Sequence, residues 1–369
     1  MPGPAAGTTS AAATPDVVCL GESMVTFRPS RPGRLADVPS FGRGIGGAES
    51  NVACALAAAG HRVAWVSRVG ADGFGDHLVE AIAAYGVDTS AVRRDPDRPT
   101  GVYFRTATDR ATDTHEVAYY RAGSAASAMS PHNVPHETLS VGRFLHLSGI
   151  TAALSADCLA LLHELTAPRS GRPLISFDVN HRPGLWRGSE AGPDVLLDLA
   201  RRADLVFVGE DEADEAWGLK GADAIRAALP EPTLLVVKRG AEGATVYSSP
   251  RPGAHLGPRP GPCADTAAAA ATDTVTDVPA LHVDVVAPVG AGDAFAAGFL
   301  SATLRGLSVR DRARHGHLMA AAVLTVPGDL TDPPPRERAD RLAALDDDAW
   351  GRLRLGPGWT GDDQEVRTT

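Results

Sequence analysis

Residues 288 to 298 read Pro-Val-Gly-Ala-Gly-Asp-Ala-Phe-Ala-Ala-Gly, a run of small residues that leads into an apolar helical stretch and carries one carboxylate, Asp293. Small side chains at Gly290, Ala291 and Gly292 let successive backbone N–H groups converge at a helix start. Such a cluster is an anion site, suited to a phosphoryl group in flight. Asp293, in the first helical turn, is favoured as a carboxylate by the helix dipole and can accept the proton of an attacking hydroxyl. It would also serve as an ordinary first-turn acid of a helix, and the residues alone leave both roles open.

Gly42, Gly44 and Gly47 satisfy the spacing G-x-G-x-x-G, but they follow a Pro- and Arg-rich stretch where a dinucleotide fold needs a strand. The next apolar run ends at Ser67-Arg68, without the acidic residue that would hold a ribose. The lysines, Lys220 and Lys238, are not preceded by glycine, so a P-loop is excluded. No H-E-x-x-H helix and no G-x-S-x-G turn occurs, which removes the usual metalloprotease and hydrolase parts. A net charge of −10 argues against binding a nucleic-acid backbone and points to small-molecule partners. The chain has no run of eighteen apolar residues, and its start lacks the basic and apolar regions of a signal peptide, so no membrane partner and a cytoplasmic location are expected. Cys19, Cys54, Cys158 and Cys263 are scattered without C-x-x-C spacing and are expected as free thiols.

The elements that must position these residues are legible as apolar runs. Val17 to Leu20, Val63 to Val66, Phe144 to Leu147, Leu174 to Phe177, Leu205 to Val208 and Leu234 to Val237 read as buried strands. Between most of them lie stretches with helical spacing, such as Val52 to Ala59 and Leu159 to Leu165. Alternation of this kind predicts an α/β fold with a doubly wound, mostly parallel sheet covered by helices on both faces. Gly101 to Arg105 and Glu116 to Arg121 read as two short strands of a small antiparallel flap. Met1 to Pro15 is expected to be a disordered tail and Ser248 to Leu281 a flexible loop insertion. Beyond Gly328 the Pro-, Asp- and Arg-rich composition suggests a peripheral polar tail over 331–369.

Gly290 to Asp293 with the following Ala-Phe-Ala-Ala-Gly resembles one signature of the ribokinase-like sugar kinases, the PfkB family. Gly46-Gly47-Ala48-Glu49-Ser50-Asn51-Val52-Ala53 resembles the other. Within that family the likeness is greatest to the 2-keto-3-deoxygluconate kinases, through Gly101-Val102-Tyr103-Phe104, Tyr119-Tyr120-Arg121, Leu147 to Ile150, Asp178 to Trp186, Val237 to Gly240 and Gly316-His317-Leu318. The resemblance implies a ribokinase-like kinase domain over 16–330, with a β lid formed by segments near 23–45 and 101–121. It implies phosphorylation of 2-keto-3-deoxygluconate by ATP with Mg²⁺.

In that reading Gly46, Gly47 and Asn51 lie at the sugar, with Tyr103 and Tyr119 on the lid side. Arg121 and Arg182 grip the acidic end, Asp329 touches substrate, and Asp293 is the base beside Gly290, Ala291 and Gly292. Lys238, Gly240 and Gly243 border ATP. Asn180 and Glu212 are candidates for water or metal contacts, and no protein metal cage is expected. The arginines have independent chemical support, since a guanidinium fork makes paired charge-assisted bonds to a carboxylate. Solvated arginines, a lid packed by its own tyrosines and a plain turn at Gly240 and Gly243 are the corresponding bland readings.

Two positions depart from the family pattern. Ala287 stands where many relatives carry the first Asp of D-x-x-G-A-G-D, which puts K⁺ activation in doubt. Gly209 replaces the Asn of N-x-x-E while Glu212 remains. The alternatives are another sugar kinase of the family, of fructokinase or ribokinase type, and a non-catalytic sugar-binding protein. An exposed lid edge would suit a homo-oligomer.

Overall fold

Apolar runs become strands buried on both faces, and their side chains divide between two cores. Val17 and Cys19 enter one core while Val18 and Leu20 enter the other, and Leu205 and Phe207 part from Val206 and Val208 in the same way. This is the two-residue period of a strand expressed in a sheet that is covered twice. The computed structural model describes residues 14–31, 33–106, 116–187, 191–249, 272–361 and 367–368. The expected tail at 1–15 lies outside the described residues except for 14 and 15, as does the 250–271 part of the loop expected at 248–281.

The strands up to residue 278, in chain order, are β1 (Val17–Leu20), β2 (Met24–Pro29), β3 (Phe41–Gly46), β4 (Val63–Val66), β5 (Arg68–Gly70), β6 (Arg93–Asp95), β7 (Val102–Arg105), β8 (Val117–Tyr120), β9 (Phe144–Ser148), β10 (Leu174–Asp178), β11 (Leu205–Gly209), β12 (Leu234–Lys238), β13 (Ala244–Ser248) and β14 (Thr274–Val278). The main sheet has the order β14-β13-β12-β11-β10-β9-β1-β4, parallel from β12 to β4 and antiparallel at β13 and β14. Chain order reverses at β1, which pairs with β4 on one side and β9 on the other. A reversal of this kind opens a crevice beyond the C-terminal strand ends.

Helices Ala48–Ala58, Ala291–Leu304 and Val309–Leu324 cover one face, and helices Ala156–Thr166 and Asp194–Arg201 the other. Two of these helices touch backbone to backbone: a Cβ on Gly298 would lie 2.4 Å from the His315 carbonyl oxygen. The four-stranded lid has the order β3-β2-β7-β8. Phe27 of β2 stacks on Phe104 of β7 at 4.7 Å, with Phe41 edge-on to Phe104, so the lid has an aromatic spine of its own.

Two expectations are corrected. Over the described residues 331–361 the expected peripheral polar tail is instead helices Arg336–Ala343 and Asp347–Gly351 and strand Leu353–Leu355, and it buries Trp350, Leu353, Leu355 and Trp359 in the first core. The insertion expected at 248–281 is shorter at both ends, because Ser248 still pairs with Thr274 and β14 continues the sheet to Val278. Cys19, Cys54 and Cys158 are buried free thiols, and Cys263 lies outside the described residues. Among the described residues no helix is long and apolar enough to cross a membrane.

Candidate active site

A cavity of about 640 Å³ lies between the lid and the C-terminal ends of the main strands. Gly46, Gly47, Asn51, Tyr103, Tyr119, Arg121, Arg182 and Asp329 are all on its wall, together with Gly290, Gly292, Asp293 and Lys238. Gly240 and Gly243 are not on it. They flank a short turn after β12, and Gly243 has φ +121 with no room for a Cβ, which would stand 2.1 Å from the Val278 carbonyl oxygen. Their glycine character follows from that turn and that packing.

Gly290 caps the helix Ala291–Leu304 in the left-handed region, φ +81, and a Cβ there would meet the Asp329 carbonyl oxygen at 2.5 Å. The turn therefore needs glycine twice over, for its backbone angle and for its neighbour. It leaves the first N–H groups of the helix free to face the cavity. Asp293 stands in the first turn, and the Asn51 amide donates to its Oδ2 at 2.8 Å. Burial pushes the Asp293 carboxyl up to about 7, against the lowering effect of that hydrogen bond and with help from the nearby Asp178 charge. A carboxylate held there is half protonated near neutrality and is a far better proton acceptor than an ordinary aspartate.

Below the helix start, the Lys238 ammonium at the end of β12 bonds both oxygens of Asp178 at the end of β10, each at 3.1 Å. Burial opposes the charge on this ammonium, but the Asp178 and Glu212 carboxylates outweigh it and hold Lys238 above its ordinary value. The ammonium lies 3.6 Å from where a Cβ on Gly292 would stand, so a fixed positive charge underlies the anion loop.

Opposite, Gly46 leaves room on the lid side: a Cβ there would meet the Tyr103 hydroxyl at 2.4 Å and Asp329 Oδ2 at 3.0 Å. The Tyr103 hydroxyl donates to Asp329 Oδ2 at 2.9 Å, and Arg105 ion-pairs with Oδ1. Arg121 is not the free clamp expected from sequence. Its guanidinium is ion-paired with the buried Glu22, which also accepts from Ser124, although its buried Nε has no hydrogen-bond partner among the described residues. Arg182 is the more available of the two, 52% exposed and 3.4 Å from Glu212.

Asn180 has φ +41 and a buried Oδ1 with no hydrogen-bond partner among the described residues, beside the cavity that Glu212 also lines. Sequence reasoning missed Glu22, Arg105 and Asp178, each a charge partner of a residue it did single out. Among the described residues no group of three or more His, Cys, Asp or Glu side chains could hold a metal ion.

Three comparisons bear on this geometry. The family model described as pfkB family carbohydrate kinase matches residues 14–336. The chain is 34% identical to the 2-dehydro-3-deoxygluconokinase of Bacillus subtilis (strain 168), over 88% of this chain and 94% of that protein. It is 32% identical to the 2-dehydro-3-deoxygluconokinase of Thermoproteus tenax, over 89% and 94%. Among solved structures, a PfkB protein from Polaromonas sp. JS666 superimposes with a TM-score of 0.72 at 33% identity, covering 88% of this chain and 99% of that one.

Proposed function

We propose that this chain, which belongs to the pfkB family of carbohydrate kinases, phosphorylates 2-keto-3-deoxygluconate (2-dehydro-3-deoxygluconate) at its terminal hydroxyl with ATP, giving 2-keto-3-deoxy-6-phosphogluconate. The observation that carries this reading is one cavity whose floor is a carboxylate at a helix N-terminus and whose opposite side presents Tyr103, Arg121, Arg182 and Asp329.

In the reaction Asp293 takes the proton of the terminal hydroxyl. The freed oxygen attacks the γ-phosphorus, a new O–P bond forms, and the bond to the ADP oxygen breaks. The N–H groups following Gly290 and the Lys238 ammonium lie where charge accumulates on the transferring phosphoryl, so they favour the transition state over the bound substrates. Asn51 keeps the Asp293 carboxylate aimed into the cavity. The lid keeps water from taking the place of the sugar hydroxyl.

Mg²⁺ accompanying ATP would shield the phosphate charges, and the unpartnered Asn180 Oδ1 and the Glu212 carboxylate are the groups that would hold it through water. Ala287 offers no carboxylate to a monovalent cation, so turnover is expected to be indifferent to K⁺.

The test is ATP-dependent phosphorylation of 2-keto-3-deoxygluconate, gluconate, fructose and ribose, with Mg²⁺, with and without K⁺. Preference for the keto-deoxy acid supports the reading; preference for fructose or ribose replaces it with a neutral-sugar kinase. Arg182→Ala should raise KM for the acid about 10- to 100-fold, the loss of one charge-assisted bond pair, with kcat less affected. An unchanged KM would remove Arg182 from the acid clamp. Because Asp293 must be deprotonated to act, kcat/KM should fall about tenfold per unit as pH drops below about 7. A profile flat down to pH 5 would place the base elsewhere.

A further inference from the structure

The segment between helix Val309–Leu324 and helix Arg336–Ala343 touches both halves of the molecule. On the lid side Arg28 of β2 donates to the Pro327 carbonyl oxygen at 2.9 Å, and Arg105 of β7 ion-pairs with the Asp329 carboxylate. On the catalytic side the Asp329 backbone carbonyl packs against Gly290, the residue that starts the anion loop, so closely that no Cβ fits between them. A displacement of the lid therefore reaches Gly290 through a single residue.

Arg105 is 5% exposed and Asp329 7% exposed, so the pair is screened from water. Its partners are fixed on each side, with Tyr103 occupying the other Asp329 oxygen. Arg28, by contrast, grips only a backbone oxygen from an exposed position.

We infer that Arg105 is a positioning residue: it latches the lid to the Asp329 segment, so that the lid seats only together with the anion loop, and phosphoryl transfer goes to the sugar and not to water. The inference rests on the kinase reading above. It assigns Arg105 no contact with the reacting atoms. Asp329, gripped from the lid through its carboxylate and from the catalytic side through its backbone, is the joint of the latch.

The experiment compares wild type, Arg105→Met, Arg105→Lys and Arg28→Met for three quantities: kcat with the sugar acid, KM for ATP, and ATP hydrolysed per sugar phosphorylated. For Arg105→Met the expected result is a fall in kcat of about tenfold or more, a several-fold rise in ATP hydrolysed per transfer, and an ATP KM close to wild type. Arg105→Lys, which keeps the charge but not the fork, should recover part of both effects, and Arg28→Met should leave the stoichiometry near wild type. Thermal melts run alongside restrict the comparison to temperatures at which each variant is folded. Arg105→Met with wild-type coupling and kcat would overturn the latch. So would a loss that appears only where the variant melts. A wild type that consumes no ATP with any sugar would instead remove the kinase reading on which the latch depends.

Discussion

Asp293→Asn is expected to lower kcat on the order of 10²- to 10⁴-fold and, at pH 8, to make the protein more stable. The first effect follows from the loss of the proton acceptor. The second follows from the same burial that makes the carboxylate basic. Its folded-state value lies near 7, above the ordinary 3.8, so the native protein binds this proton more tightly than the unfolded chain does. Stability associated with the protonated acid is fully present below about pH 4, is lost as pH rises toward about 7, and stays lost above it. Asparagine is neutral throughout and escapes that loss, while its side-chain oxygen still accepts from Asn51.

One pKa unit corresponds to ~1.4 kcal/mol, but the carboxylate faces an open cavity, and the gain is discounted to ~1–3 kcal/mol. Melting curves at pH 5 and pH 8 should show the variant's advantage growing with pH. A variant that turns over at the wild-type rate would end the assignment of Asp293 as base. Equal melting temperatures at pH 8 would end the argument from burial.

Lys238→Met should be the more damaging change to the fold. It leaves the Asp178 carboxylate buried with its ammonium partner gone, a loss on the order of 3–5 kcal/mol. It also removes the positive charge beneath the anion loop, which should lower kcat on the order of 10²-fold. The two effects separate in a double variant. Lys238→Met with Asp178→Asn has no uncompensated charge, so urea denaturation should show most of the stability restored while kcat stays low. Recovery of kcat in the double variant would mean that the ammonium serves only to neutralise Asp178.

The six parallel strands of the main sheet were legible because strands covered on both faces are largely apolar, as in Val17 to Leu20, whereas the antiparallel β13 and β14 were not, β14 being polar at Thr274, Thr276 and Asp277 and largely exposed. The loop from Gly290 to Asp293 was legible because its chemistry is local: small residues, a helix start and a carboxylate stand next to one another in sequence, whereas the glycines at 46 and 47 were assigned through the family resemblance. What was hidden is pairwise and distant. Asp329 meets Arg105 across 224 positions and Lys238 meets Asp178 across 60, and no spacing rule reaches that far.

The Glu22 partner of Arg121 was hidden because Glu22 lies in a short stretch after β1 that gives no sign of turning toward it. Glu49 shows the converse. It belongs to the glycine motif that lines the cavity, yet it is buried away from that cavity and accepts from Ser148 and Thr151. The residues after 330 were misjudged because abundant proline and charge outweigh a few widely spaced apolar side chains, and those few are the ones that enter the core.

That last segment bears on how the protein is made. A chain leaving the ribosome at about 5–20 residues per second presents the helices Ala291–Leu304 and Val309–Leu324 while Trp350, Leu353 and Trp359 are still in the exit tunnel or not yet joined. For some seconds until they follow, the side of helix Val309–Leu324 on which Trp350 packs, beside Arg314 and His317, is uncovered. A message cut short near codon 330 encodes every residue proposed here for catalysis and still leaves that surface bare, which makes its product a substrate for chaperones and proteases before it can be an enzyme.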